Sequence, residues 1–170
     1  SGVDDLEGVR GMRIREFFTD RSKGDDLGGF WLLYRLRERA GNRLWRDLLT
    51  YLANRSAHRH GGYIGPGAVI QGIPVLPHGL HGVYISRYAV IGPGCRIYQN
   101  VTIGEIGHRA PVIGPGCLIG AGAILVGGIT VGEGARIGVG AVVRQDVPAR
   151  SVVLAVPPCI LDRSALDDKK

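Results

Sequence analysis

Aliphatic residues recur every six positions from residue 64 onward, and this period constrains the fold more than any other feature of the chain. They form three in-phase series: Ile64, Ile70 and Leu76; Ile85, Ile91, Ile97 and Ile103; and Ile113, Ile119, Leu125, Val131, Ile137 and Val143. Self-similarity at a short fixed period is the signature of a solenoid, in which each coil stacks on the next. The period therefore predicts one short strand per repeat and three strands per coil of about 18 residues.

A second position in the repeat, four residues after the aliphatic one, is often small. Such residues stand at Ala68, Ala89, Cys95, Cys117, Ala123, Ala135 and Ala141. We expect both positions to point inward, while many of the 28 glycines turn the corners of the coil. No spacing of Cys95, Cys117 and Cys159 resembles a zinc clip or a redox pair, so all three are predicted to be free thiols.

The residues before the repeats have helical rather than six-residue periodicity. Asn42 is a suitable N-cap for a helix in which leucines recur every four residues. Helices are also expected at Phe30–Ala40 and Met12–Arg21, and their apolar faces are expected to cap the first coil or to pack between subunits. We divide the chain into an N-terminal arm and helical region (1–60), a solenoid domain (61–150) and a C-terminal tail (151–170).

Composition and charge exclude several classes of function. The chain has 170 residues and a formal net charge of +6, and its basic residues lie mainly in the helical region. No apolar run reaches the ~18 residues of a membrane span, and no signal peptide is evident, so a cytoplasmic protein is expected. No nucleic-acid-reading motif accompanies the basic residues, so we expect no nucleic-acid partner.

The period breaks twice, and each break carries histidine. The interval from Leu76 to Ile85 is nine residues and contains His78 and His81, whereas the interval from Ile103 to Ile113 is ten residues and contains His108. Insertions leave a solenoid as loops, and loops carry function more often than the scaffold does. Histidine suits acyl transfer to a hydroxyl, because a base with a pKa near 7 can take the alcohol proton and return it to the leaving group.

The repeated pattern [LIV]-G-x-x-A-x, from about Tyr63 to Pro148, resembles the hexapeptide-repeat acyltransferase superfamily. Within that superfamily the chain is most similar to serine acetyltransferases. The similar segments are Leu76-Pro77-His78 with Gly82-Val83, Gln99-Asn100-Val101-Thr102-Ile103-Gly104, Gly120-Ala121-Gly122-Ala123 and 151–160. The resemblance implies a left-handed parallel β-helix, a homotrimer with active sites between subunits, acetyl-CoA as acyl donor and a small hydroxyl acceptor.

The resemblance also assigns candidate site residues. His78 falls on the catalytic histidine, with His81 and Glu105 as further catalytic candidates, and an exposed N–H of Gly79 or Gly82 is expected to steady the oxyanion. Tyr63, His108 and Arg109 are candidates for acceptor binding, Arg109 as a bidentate donor. Candidates for acetyl-CoA binding are Gly120, Ala121, Gly122, Val139, Gly140 and Arg144.

Departures from the serine acetyltransferase pattern leave the acceptor open. The supporting aspartate 15 residues before the histidine is Tyr63 here, and the aspartate directly before it is Pro77. Between Gly61 and Gly132 the only acid is Glu105, so the partner of the histidine is Glu105, a group of a neighbouring subunit, a backbone carbonyl or Tyr63. Serine, a sugar hydroxyl and a biosynthetic intermediate all remain candidate acceptors.

Two alternatives belong to other classes. Some left-handed β-helix trimers resemble γ-type carbonic anhydrases, which hold zinc with three histidines, and His78, His81 and His108 supply that number. We nevertheless expect no metal, because the order of these histidines is the reverse of that family's. The other alternative is a non-catalytic oligomeric scaffold, which the missing aspartates favour and the two histidine-bearing insertions disfavour.

Overall fold

The computed structural model describes residues 27–157, which form two helices followed by a series of very short strands. The helices are α1 (Gly28–Arg39) and α2 (Arg43–Arg59). The strands are β1 (Tyr63–Ile64), β2 (Val69–Ile70), β3 (Tyr84–Ile85), β4 (Val90–Ile91), β5 (Arg96–Ile97), β6 (Thr102–Gly104), β7 (Val112–Ile113), β8 (Leu118–Ile119), β9 (Ile124–Val126), β10 (Thr130–Val131), β11 (Arg136–Ile137), β12 (Val142–Val143) and β13 (Val152–Val153). The helix predicted at Met12–Arg21 and the thiol of Cys159 lie outside the described residues.

The strands form three parallel sheets, which are the three faces of a solenoid of about four turns. Sheet A contains β1, β3, β6, β9 and β12; sheet B contains β2, β4, β7 and β10; and sheet C contains β5, β8, β11 and β13. The solenoid is left-handed, as the resemblance implied and opposite to ordinary strand crossovers. The predicted parallel β-helix is therefore confirmed.

The aliphatic positions of the repeat fill the inside of this β-helix. The isoleucines of β3 to β6 are completely inaccessible to solvent, and the small residues predicted to point inward are all buried. Cys95 and Cys117 are free thiols packed in this core, and each lies within hydrogen-bonding distance of a carbonyl oxygen of the next coil. Burial raises the pKa of both thiols, so they are packing groups rather than nucleophiles.

The helices cover the first coil, and α1 does so with the apolar face that was expected to cap it. Phe30, Trp31 and Tyr34 of α1 are buried, and the Tyr34 hydroxyl donates a hydrogen bond to the carbonyl oxygen of Ala68, 2.7 Å away. The side chain of Asn42 caps α2 by accepting a hydrogen bond from the backbone of Leu44, as predicted. The face of α2 that is buried carries Ala53 and Ala57, whereas its leucine face is exposed in the single chain. Among the helices of residues 27–157, none has the length and apolar composition needed to cross a membrane.

Each insertion leaves the solenoid at a different edge. We call the edge where the chain passes from sheet C to sheet A the His78 edge; it comprises residues 77–83, 98–101, 120–123 and 138–141. The edge from sheet A to sheet B is the hairpin edge, comprising residues 65–68, 86–89, 105–111, 127–129 and 144–146. The inserted residues do not disturb the stacking, because Tyr63 still pairs with Tyr84 and Thr102 with Ile124.

Truncating one core isoleucine should test this packing directly. Ile97 is fully buried in the middle of the stack, so Ile97→Ala should lower the free energy of unfolding by about 2–5 kcal/mol. The matched change Ile73→Ala, at a side chain 42% exposed, should cost less than about 1 kcal/mol. Equal losses in denaturant unfolding would contradict the assignment of the six-residue positions to the core.

Candidate active site

His78 stands on a loop whose neighbouring residues are anchored in the core. Leu80 and Val83 are buried, and they hold residues 77–83 against the end of the β-helix. Turns within the loop are closed by hydrogen bonds from Gly79 N–H to the Leu76 carbonyl and from Val83 N–H to the Leu80 carbonyl, 3.1 and 2.9 Å long. The His78 side chain is exposed, so the imidazole projects into solvent from a loop whose backbone is held in place.

The imidazole of His78 contacts two consecutive residues of the next coil. Its Nδ1 lies 2.6 Å from the side-chain oxygen Oε1 of Gln99, and the ring of Tyr98 meets it edge to face with centroids 5.8 Å apart. Gln99 was not among the predicted site residues. It follows His78 by the same interval that separates the paired residues Tyr63 and Tyr84, which is one coil plus the first insertion. That interval is the sequence signal that would have found it.

A groove of about 450 Å³ runs along the His78 edge across successive coils. It is lined by His78, Tyr98, Gln99, Leu118, Gly120, Ala121, Ile137, Gly138 and Val139. The groove thus joins His78 to three of the six residues that were predicted to bind acetyl-CoA, namely Gly120, Ala121 and Val139. The walls are mainly apolar, with an imidazole and an amide at one end.

The glycines at this edge have two different physical roles. A Cβ on Gly120 would lie 2.8 Å from both the Ile137 carbonyl oxygen and the Val139 nitrogen, so glycine is required there for close stacking of the coils. Gly122 and Gly140 instead have φ of +68°, in the left-handed region, and a Cβ on either would meet open space. They turn the corner directly after Ala121 and Val139 and leave the surface beside the groove uncovered.

Two backbone donors at the groove are not used by the fold. Within residues 27–157 the N–H groups of Ala121 and Val139 make no hydrogen bond, although the corner residues around them do. The carbonyl of Ala121, for example, accepts from Gly140, and that of Gln99 accepts from Gly122. A ligand with amide carbonyls could therefore pair with the two unused donors without breaking the stack.

Both of the expected oxyanion donors are occupied, which corrects the sequence-based prediction. The N–H of Gly79 donates to Leu76, and the N–H of Gly82 donates to the carbonyl oxygen of Gly61 at 2.9 Å. The Gly79 bond closes a turn at the start of the loop, whereas the Gly82 bond joins the loop to the segment between α2 and β1. These glycines are needed for their positive φ of 62° and 67° rather than for an exposed N–H.

His81 and Tyr63 face away from the groove. The carbonyl of His81 accepts a hydrogen bond from the N–H of Asn100, and its imidazole lies next to Gly61. The ring of Tyr63 stacks on Tyr84 on the outer face of sheet A, with centroids 5.2 Å apart. Neither residue lines the groove that contains His78.

The second insertion forms a two-residue hairpin. Ile106 and Arg109 exchange backbone hydrogen bonds of 2.9 and 3.2 Å, and Gly107 and His108 between them both have positive φ. This is the geometry of a type I′ turn. The aliphatic part of the Arg109 side chain lies against Gly128 of the next coil, so the hairpin is packed on the solenoid.

Glu105 is bonded to a serine rather than to a histidine. Its carboxylate accepts a short hydrogen bond from the hydroxyl of Ser86, which is completely buried and also accepts from the N–H of Tyr88. The ring of Tyr88 in turn meets that of His108 edge to face, with centroids 5.5 Å apart. The Ser86–Glu105 pair thus fixes the base of the hairpin, and in this chain it is Gln99, not Glu105, that contacts His78.

The predicted site residues therefore fall into two groups at different edges. His78 and the glycine corners lie at the His78 edge, whereas Glu105, His108 and Arg109 lie at the hairpin edge. Between Asn100 and Glu105 the chain crosses the whole of sheet A, roughly 17 Å of extended backbone. Arg144 also lies at the hairpin edge, beside Gln145 and Asp146 in a separate depression.

The zinc alternative has no support within a single chain. In the part of the chain that the structure describes, no three His, Cys, Asp or Glu side chains converge as metal ligands would. His78 and His108 lie at different edges, so a three-histidine site would have to combine histidines of different subunits.

Known proteins of similar sequence and structure share this fold. The family model of the bacterial transferase hexapeptide, six repeats, matches residues 110–145. Together with the left-handed β-helix, this match shows that the chain has the hexapeptide-repeat fold of these bacterial transferases.

The relatives that the chain resembles are serine acetyltransferases. It is 42% identical over 108 residues to the serine acetyltransferase of Synechococcus elongatus, covering 61% of this chain and 43% of the relative. It is 37% identical over 147 residues to that of Salmonella typhimurium, covering 83% and 54%. The chain spans about half the length of the curated relatives it matches.

Solved structures agree with the sequence relatives. The crystal structure of serine acetyltransferase from Vibrio cholerae aligns with a TM-score of 0.66 and 38% identity, over 75% of this chain and 51% of the other. That of Neisseria gonorrhoeae serine acetyltransferase in complex with serine aligns with a TM-score of 0.64 and 35% identity, over 75% and 54%.

Removing the Ser86 hydroxyl should loosen the hairpin. Ser86→Ala deletes the bond to Glu105, so backbone amides of residues 105–110 should exchange with deuterium faster, and stability should fall by about 1 kcal/mol. Ser151→Ala removes a hydroxyl that bonds the Pro148 carbonyl at another edge, and it should leave hairpin exchange unchanged. If the hairpin exchanged equally in both variants, the Ser86–Glu105 bond would not be what holds it.

Proposed function

We propose that this protein is an O-acetyltransferase that moves the acetyl group of acetyl-CoA to a hydroxyl of a small acceptor, with His78 as general base. The observation that carries the proposal is the groove of the His78 edge, which leads from an exposed imidazole along two glycine corners. The similarity to serine acetyltransferases supports the same reaction. Serine is accordingly the first acceptor to test.

The proposed chemistry needs one base and no metal. The nitrogen Nε2 of His78 takes the proton of the acceptor hydroxyl as its oxygen attacks the thioester carbonyl carbon. When the resulting tetrahedral centre collapses, the carbon–sulfur bond breaks and the imidazolium returns the proton to the leaving thiolate. The products are the acetyl ester and the free thiol of CoA. A positioned base supplies about 10²–10⁴-fold of the rate.

The groove has the dimensions and chemistry expected for the pantetheine arm of acetyl-CoA. Leu118, Ile137 and Val139 offer apolar surface for its methylene groups. The unused N–H groups of Ala121 and Val139 offer donors for its two amide carbonyls. Gly122 and Gly140 keep that side of the groove free of side chains, so the thioester can lie next to His78.

A complete acceptor site needs both edges, and we propose that a homotrimer brings them together. Arg109 and His108 project from the hairpin edge, across sheet A from His78 in the same chain. In a ring of three chains the hairpin edge of one subunit can meet the His78 edge of the next. Arg109 would then place a planar pair of donors opposite the base, suited to a carboxylate or phosphate oxygen of a substrate.

A sugar hydroxyl is the second candidate acceptor, and a specific observation favours it. Where the serine acetyltransferase pattern has aspartate, this chain has Tyr63, and the Tyr63 ring stacks on Tyr84. The single acid between Gly61 and Gly132, Glu105, is already bonded to Ser86. Contacts for an amino-acid ammonium are therefore fewer than in the serine pattern, whereas a neutral polyol does not need them.

The assay of choice measures thiol release from acetyl-CoA with L-serine, homoserine and a panel of sugars and aminosugars. His78→Ala should lower turnover on the active acceptor at least about 100-fold, because the base is removed. His58→Ala, at an exposed histidine of α2, is the matched control and should retain parental turnover. Unchanged turnover in His78→Ala would exclude His78 as the base. If the parent protein neither binds acetyl-CoA nor releases thiol, the non-catalytic scaffold is the better interpretation.

Mixing two inactive variants tests whether the site is shared between subunits. We expect His78→Ala and Arg109→Ala each to be severely impaired alone. If the base and the arginine of one site come from neighbouring chains, every mixed trimer of the two contains one intact site. Unfolding and refolding the variants together should then restore activity. No recovery in verified mixed trimers would mean that each site uses residues of a single chain.

A further inference from the structure

We propose that Gln99 is the positioning residue of His78 and holds the proton on Nδ1, so that Nε2 is the free base. The inference rests on the proposed function of His78. Its basis is the 2.6 Å contact between Gln99 Oε1 and His78 Nδ1. The serine acetyltransferase pattern has a supporting aspartate where this chain has Tyr63, and it assigns no role to the position of Gln99.

The direction of this hydrogen bond sets the tautomer. An amide oxygen has lone pairs and no proton, so it can only accept a hydrogen bond. The proton between the two groups therefore belongs to Nδ1, and in the neutral imidazole Nε2 then carries the lone pair. A general base needs its lone pair directed at the substrate. Because Gln99 is bonded to Nδ1, the nitrogen Nε2 keeps its lone pair for that purpose.

The turn that contains Gln99 is fixed at several points. Its own carbonyl accepts a hydrogen bond of 3.0 Å from Gly122 in the coil beyond, and the N–H of Asn100 donates to the carbonyl of His81 at 2.9 Å. Tyr98 supplies the edge-to-face contact with the His78 ring. Three consecutive residues thus hold the His78 loop from the next coil. Tyr98 and Gln99 contact the imidazole of His78, and Asn100 bonds the carbonyl of His81.

A neutral partner differs physically from the aspartate of a Ser-His-Asp type arrangement. A carboxylate both fixes the tautomer and stabilises the imidazolium by its charge, whereas an amide oxygen fixes the tautomer with a dipole alone. In this chain the one acid between Gly61 and Gly132 is bonded to Ser86 at the other edge. Gln99 therefore supplies orientation without adding a negative charge next to the acceptor.

The tautomer can be measured without any substrate. Protein labelled with ¹⁵N at histidine side chains gives long-range proton–nitrogen correlations, and the His78 signals are those missing from His78→Ala. In the parent at a pH where the imidazole is neutral, His78 should be the Nδ1–H tautomer. In Gln99→Leu it should shift toward the Nε2–H form that free imidazole side chains prefer, whereas Gln71→Leu, a glutamine elsewhere on the solenoid, should leave it unchanged. An Nε2–H tautomer in the parent would overturn the inference.

Kinetics then test the consequence, with acetyl-CoA and L-serine as the probe pair. Gln99→Leu should lower kcat by about tenfold or more, part of the roughly 10²–10⁴-fold that a positioned base provides. Gln99→Glu keeps the accepting oxygen and adds a charge, so it should retain activity while the acid limb of the kcat/KM profile moves to higher pH, because a carboxylate stabilises the protonated imidazole. A purely structural role for Gln99 would not move that limb.

The variants also separate this inference from the proposed function. Full turnover in His78→Ala would show that His78 is not the base, and the proposed function would then be wrong whatever the role of Gln99. Loss of turnover in His78→Ala together with parental kcat and an unchanged tautomer in Gln99→Leu contradicts only the role of Gln99. Should L-serine prove not to be an acceptor, the tautomer measurement alone decides, because it requires no turnover.

Discussion

In-register stacking of each coil on the next is the interaction on which the rest of this structure depends. The parallel pairing of Tyr84 with Thr102 and of Ile85 with Ile103 repeats through the solenoid, and it places every aliphatic anchor above another one. The same register superimposes the corners. Residues that are far apart in sequence but share a corner, such as His78, Gln99 and Ala121, are thereby brought to one continuous edge.

Stacked corners explain why the proposed site residues lie at the edges of the molecule rather than on its faces. The faces are committed to strand pairing and to the core, so an insertion is tolerated only where the chain already turns. The first insertion adds three residues and exposes His78, and the second adds four and forms the hairpin of Arg109. Because the insertions lie at different edges, one chain separates the proposed base from the proposed substrate anchor, and the proposed association of chains would join them.

Much of the fold could be predicted because the six-residue period acts through burial alone. Ile97 or Ala123 must point inward whatever the details of the loops, and Asn42 caps its helix by local geometry. Contacts between side chains of different coils were harder to predict, since they depend on how the coils are aligned after an insertion. Gln99 was missed for this reason, and Glu105 was one of four candidate partners of the histidine before the structure showed its bond to Ser86. The N–H groups of Gly79 and Gly82 were misjudged because the first closes a turn of the loop and the second bonds the carbonyl of Gly61 before β1.

The central claim, that the His78 edge is the acetyl-CoA site, is tested most directly by a crystal structure of the protein grown with CoA. The expected result is the CoA sulfur about 3–3.5 Å from Nε2 of His78, with the pantetheine amides paired to the N–H groups of Ala121 and Val139. CoA bound with its sulfur remote from His78, or bound only in the depression beside Arg144, would contradict the assignment of this edge.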